Sequence, residues 1–230
     1  MIIRHASATF LILVAGTMPL GLSGCRSTAA DSFLTDSSGS EPSGEVKITK
    51  MGGEINVDNA PNGASLSTMG GNIHVRDVAS FVKAKTMGGI ITIDRATGPV
   101  DASTMGGDIN LGHVDGAIKA STMGGDITAR MVGTSSTERD VELTSHGGTM
   151  TLTVPKDFPM DVRITLAYTR NAPRRYEIID HIGLEKRESS DWDTSEGTPR
   201  KYIRAQGHVG SGLNHVTIKT VNGDVILKQE

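Results

Sequence analysis

The stretch STMGGDINLGHVDGAIKASTMGGDI, Ser103–Ile127, begins and ends on the same seven residues. Near-copies precede it: KMGGEI at Lys50–Ile55, TMGGNI at Thr68–Ile73 and TMGGII at Thr86–Ile91. The first glycine of each pair falls at 52, 70, 88, 106 and 124, a constant step of 18 residues. A period without drift is the mark of stacked coils, in which each repeat forms one layer.

Each period holds two short alternating runs. Ile55, Ile73, Ile91, Ile109 and Ile127 share one phase with Val57, Val75, Ile93, Leu111 and Ala129, two residues on. Side chains two apart on a strand face the same way, so both columns point inward. Asn56, His74, Thr92, Asn110 and Thr128 lie between them and point out. The other half-period has inward columns Val46, Ala64, Val82, Val100, Ile118 and Ile48, Leu66, Ala84, Ala102, Ala120. Turns are expected near Asn62, Ser80, Gly98 and Gly116. The expectation is an all-β parallel solenoid, or β-helix, of 18-residue coils, wound right-handed by the usual crossover chirality. Small aliphatics suit a thin interior, in keeping with 3% aromatic residues.

Beyond Met131 the ruler relaxes. Residues 132–140 lengthen one coil by five. TSHGGTMTL (Thr144–Leu152) is a sixth copy, and TVNGDVIL (Thr220–Leu227) a seventh that closes the chain. Met160–Thr169, Tyr176–Ile182 and Tyr202–Val209 read as strands, separated by a charged loop, Glu185–Pro199, that carries the only tryptophan, Trp192. Regular coils are thus expected over 45–154, with irregular coils and a cap over 155–230, since an open solenoid end pairs with other chains.

Residues 1–24 read as an export signal. Arg4 is followed by an apolar run too short and poorly flanked for a membrane span. The run ends in Leu22-Ser23-Gly24-Cys25, which resembles the bacterial lipobox. That resemblance implies cleavage before Cys25, acylation of that cysteine and anchoring to membrane lipid, with Arg26 implying the outer membrane. Cys25 is the only cysteine, so no internal disulfide can form. Residues 25–44 read as the lipidated end and a Ser/Thr/Gly-rich tether. Removing residues 1–24 takes the formal charge from −3 to −4. Without a basic stripe, nucleic acid is not an expected partner.

The glycine pairs Gly52-Gly53, Gly70-Gly71, Gly88-Gly89, Gly106-Gly107, Gly124-Gly125 and Gly147-Gly148, with Asn222-Gly223 in the last copy, are expected to make tight turns at positive φ. A phosphate cradle would need a helix after the glycines; here a strand follows. A calcium roll needs aspartates in every layer, and Ile90 breaks the column Glu54, Asn72, Ile90, Asp108, Asp126. The column Met51, Met69, Met87, Met105, Met123 offers thioethers suited to Cu(I), but His146 and Val221 replace methionine later. The expectation is therefore that methionine fills the bend, with no metal and no cofactor. Thr68, Thr86, Thr104, Thr122, Thr144 and Thr220 should bond turn backbone through their hydroxyls. Asp58, Arg76, Asp94, Gly112 and Arg130 mix signs, as a solvated face does. Histidines 5, 74, 113, 146, 181, 208 and 215 lack metal-ligand spacing, and no G-x-S-x-G occurs. An enzyme is not expected.

The repeated T-x-x-G-x-[IV]-x-[VL], the segment VPKDFPMDVRI (Val154–Ile164) and the terminal LNHVTIKTVNGDVILKQE (Leu213–Glu230) together resemble the adhesin family of bacterial β-helical envelope domains. The resemblance implies an envelope location and a binding role, toward an envelope protein, a glycan or another copy of the chain, and no catalytic residues. Envelope-stress signalling through a protein partner, by way of the Glu185–Pro199 loop or the cap, is the alternative. A carbohydrate-active enzyme is a third reading.

Overall fold

The computed structural model describes residues 44–133, 139–156, 158–195 and 197–230. The export signal, Cys25 and the tether up to residue 43 lie outside them, as do residues 134–138 of the lengthened coil. The described chain is all β.

The regular coils contribute β1 Val46–Lys50, β2 Ile55–Ala60, β3 Ala64–Thr68, β4 Ile73–Val78, β5 Val82–Lys85 and β6 Ile91–Ala96. They continue with β7 Val100–Ser103, β8 Ile109–Val114, β9 Ile118–Thr122, β10 Ile127–Met131, β11 Val141–Ser145 and β12 Met150–Val154. The remainder holds β13 Met160–Thr169, β14 Ile178–Asp180, β15 Glu185–Glu188, β16 Arg200–Val209, β17 Asn214–Val221 and β18 Val225–Gln229. One sheet runs β1-β3-β5-β7-β9-β11-β17-β13-β16-β15, and the other runs β14-β18-β12-β10-β8-β6-β4-β2. All pairings are parallel except β13–β16 and β15–β16. Each coil gives one strand to each sheet, the arrangement expected of a β-solenoid.

The four inward columns fill the core as expected, except that Val46 and Ile48 on the end strand are half-buried. A fifth column is also buried: Ala60, Val78, Ala96, Val114, Met131 and Val154. In the first four of these layers alternation alone does not reveal it, because two outward residues separate it from the preceding inward residue; at Met131 and Val154 a single residue does. At this bend Asp58 and Asn59 both face out, and the ladder passes from Val57↔Val75 to Asn59↔Asp77. The signal was the recurrence of a small apolar residue at 60, 78, 96 and 114.

The glycine corners work differently from the expectation. Within the pairs, only Gly53 has positive φ, 84°, and in the last copy it is Asn222, 53°. The second glycine is required by close approach between layers. A Cβ on Gly89, Gly107 or Gly125 would lie 1.9–2.0 Å from the carbonyl oxygen of the second glycine one layer earlier. A Cβ on Gly52, Gly70 or Gly88 meets nothing within 4 Å, so the first glycine is not sterically demanded.

The threonine column closes this corner. Thr104 Oγ1 donates to the Gly89 carbonyl at 3.0 Å and accepts from its own layer's Gly107 N–H at 3.3 Å. Thr86 and Thr122 do the same one layer either side. In the sixth coil the place belongs to Ser145, not Thr144: Ser145 pairs with Thr122, donates to Gly125 and accepts from Gly148. The hydroxyls are buried, so each lost bond leaves a donor and an acceptor dry. Thr104→Val should cost about 1–3 kcal/mol for the groups left unpaired, whereas Thr104→Ser should cost well under half of that, read from urea unfolding midpoints.

The seventh copy does not close the stack. β17 lies between β11 and β13, and β18 between β12 and β14. After β12 the chain skips one layer, builds the outer one from β13 and β14, and fills the gap with β17 and β18. Buried Asn214 marks the insertion: its Oδ1 accepts from Arg139 N–H at 2.8 Å, and its Nδ2 donates to the Pro159 carbonyl at 2.6 Å. The end of the first sheet is covered by antiparallel β16 and β15. Glu185–Glu188, expected to be loop, is therefore the edge strand β15.

Candidate functional site

Three surfaces offer chemistry. The first is the outer face of the longer sheet. Parallel register stacks Phe81, Pro99 and Ala117 in one outward row beside the strand starts, and Lys83, Asp101, Lys119 and Glu142 in the next. Together they line an open groove of about 630 Å³ that runs on to His215 and Thr217. The charges alternate in sign from layer to layer and pair across layers, Lys83–Asp101 at 4.0 Å and Lys119–Glu142 at 3.2 Å. The groove thus has an apolar strip beside a row of charges that already neutralise each other. At its far end His215 N–H donates to Asp140 Oδ1 at 2.8 Å.

The second surface is the cap. Tyr168 meets Trp192 edge-on at 5.8 Å between ring centroids. The Arg170 guanidinium and Lys201 ammonium lie 5.1 and 5.5 Å from the indole centroid, within cation–π range. Tyr168 Oη donates to Glu188 Oε1 at 2.5 Å, and Arg175 pairs with the other oxygen of Glu188. The Glu188 carboxylate raises the Tyr168 phenol above its ordinary pKa, since ionisation would lose that bond. The sequence-predicted loop residue Trp192 is thus tied into the cap by β13 and β16.

Asp180, at the end of β14, anchors this cap. Its carboxylate is almost wholly buried, accepts from Gly183 N–H at 2.7 Å and Leu184 N–H at 2.9 Å, and pairs with Lys186 at 2.6 Å. Burial pushes its pKa up, but the Lys186 ammonium and the two amides outweigh that, and the net shift is downward from 3.8. A depressed folded-state pKa gives stability that is present above the unfolded value and lost as pH falls through the folded one. Lowering the pH from neutral to below 3.8 should therefore destabilise the wild type more than Asp180→Asn, checked by thermal melts across that window.

The third surface is the row of polar residues after the glycines. Asn72 Oδ1 accepts from Ile90 N–H at 2.9 Å, Asp108 Oδ1 from Asp126 N–H at 2.8 Å, and Asp126 Oδ1 from Thr149 N–H at 2.7 Å. These side chains serve the backbone of the next layer. The mixed-sign column on the other sheet is paired between layers, with an Arg76–Asp58 ion pair at 3.2 Å and a His74–Asp94 hydrogen bond at 3.0 Å. Among the described residues, no three or more His, Cys, Asp or Glu side chains cluster as metal ligands, and no helix is long and apolar enough to cross a membrane.

No curated protein and no solved structure matches the chain. A family model, Toastrack DUF4097, matches residues 31–170, more than half of the chain. The match takes in every regular coil and ends just past β13, so β14–β18 fall outside it. With its two-strand coils and glycine corners, the chain belongs to the Toastrack DUF4097 family, a domain of unknown function.

Proposed function

We propose that this protein is a lipid-anchored, non-catalytic module of the bacterial cell envelope, held to the outer membrane through Cys25, and that its long sheet face binds another envelope protein in an adhesin-type role. The carrying observation is the groove beside Phe81, Pro99 and Ala117 with its row of charges paired across layers. An apolar strip flanked by polar residues has the composition of a protein interface. A glycan platform would lean on several exposed rings, and here Phe81 is the one aromatic in the groove.

A photo-crosslinker at Lys119 in intact envelopes tests this. The expected result is a discrete protein adduct that Phe81→Ala weakens. Adducts with glycan alone, or none, would overturn the reading. The anchor is tested separately: Cys25→Ser should move the protein from the membrane to the soluble fraction and abolish palmitate labelling. The alternative, envelope-stress signalling through the cap, rests on the Tyr168–Trp192–Arg170–Lys201 cluster. It predicts that the adduct forms at Trp192 instead of Lys119.

A further inference from the structure

We propose that the methionine ridge is a binding site for a soft monovalent cation, Cu(I) or Ag(I), held between thioethers of adjacent layers and finished by an imidazole. Met51, Met69, Met87, Met105 and Met123 each stand between the corner hydroxyl position and the first glycine, one per layer. The corners stack directly: Met105 N–H donates to the Met87 carbonyl at 3.3 Å. His146 continues the row, because Ser145 pairs with Thr122 one residue earlier.

The methionines do not fill the bend as expected. The bend interior is filled by the threonine hydroxyl and the glycine backbone, while the five methionines are 47–82% exposed. By contrast Met131, Met150 and Met160 are buried in the core. The corner leaves these side chains half-exposed or more. A polar residue would be better hydrated there, yet the same thioether recurs in five consecutive layers.

The spacing fits the chemistry. Neighbouring layers are about 4.8 Å apart. Taking the roughly 2.3 Å of a zinc–sulfur bond as a guide, a cation bridging two sulfurs linearly separates them by nearly the same distance. Thioether and imidazole donors favour Cu(I) over hard cations. The carboxylates that follow two of the glycine pairs do not compete fully, because Asp108 and Asp126 each commit one oxygen to backbone N–H of the next layer. The thioethers carry no charge and are exposed, so a monovalent ion can enter without losing all its water first.

The test uses the full chain carrying Cys25→Ser, which removes its only thiol, with methyl-13C methionine and titrated silver nitrate. The expected result is saturable shifts of the five ridge methyl resonances, with Met131, Met150 and Met160 unmoved. The triple variant Met69→Leu/Met87→Leu/Met105→Leu keeps the apolar surface and removes the donors. It should melt like the parent and bind Ag(I) more weakly by at least the roughly tenfold that an outer-shell change already costs. His146→Ala should diminish the shift at Met123 and spare Met69. Unshifted ridge methyls, or a leucine variant that binds as tightly as the parent, would overturn the proposal. The second outcome would mark the ridge as an apolar surface.

Discussion

Removing residues 214–230 should abolish cooperative folding, with the truncated chain recovered as an aggregate or lacking an unfolding transition in urea. The reason is position in the stack. β17 and β18 form an interior layer, not the last one. Their loss separates β11 from β13 and β12 from β14, and opens sheet edges that attract other chains. Val216, Ile218, Val225 and Leu227 are fully buried, each stabilising by about 1.5–3 kcal/mol. The sum approaches the whole stability of an ordinary domain, about 5–15 kcal/mol. Removing β1 instead deletes an end strand whose Val46 and Ile48 are only half-buried, and should leave a cooperative, weaker transition. A truncated chain that melts cooperatively near the parent midpoint would contradict the inserted-layer topology.

Gly107→Ala should destabilise by about 3 kcal/mol or more, at or beyond the upper end of the usual overpacking cost. Its new Cβ would sit 2.0 Å from the Gly89 carbonyl oxygen, which is backbone and cannot swing away. The same oxygen accepts the Thr104 hydroxyl, so moving it also weakens that bond. Gly106→Ala is the matched control. There the only neighbour is the Met87 carbonyl oxygen at 4.0 Å, and the backbone has no positive φ. It should be neutral or stabilise by about 0.4–1 kcal/mol through the unfolded chain. Urea midpoints of the pair separate crowding from conformational freedom: equal losses would favour the turn explanation.

That contrast shows what the repeat discloses by itself. The 18-residue step, the isoleucine and valine columns and the two strands per coil follow from side-chain alternation, which is a property of local sequence. The reason for the second glycine does not, because the atom it avoids belongs to a residue 18 positions earlier. The methionines illustrate the same limit. Residue type suggested filler, while the direction of the side chain, set by the corner, put it outside. Thr144 matches the corner by residue type, but Ser145 holds it, because Ser145 stands two residues before Gly147 as Thr122 stands two before Gly124. The layer order after Leu152 had one readable clue. Asn222-Gly223 keeps the corner motif, and Gly223 does stack against the Gly148 carbonyl. Nothing local says that β13 and β14 lie beyond it. At the site level, the charges Lys83, Asp101 and Lys119 recur at the 18-residue step and so belong to the repeat, whereas the apolar row of Phe81, Pro99 and Ala117 emerges only once the strand starts are aligned.

The inserted layer also sets the order of events in time. Through β12, each strand finds its neighbour 18 to 23 residues away, so the coils can zip up one after another with short loops to close. The layer of β17 and β18 must wait for partners about 75 residues back, a separation that slows closure. Refolding should therefore show a fast phase that builds the regular coils and a slow phase that seats the final strands. Until that slow step, Leu143, Leu152, Ile164 and Ile178 face an empty slot. On the export route proposed above, this interval is when a chaperone would hold the chain and a protease would cut it.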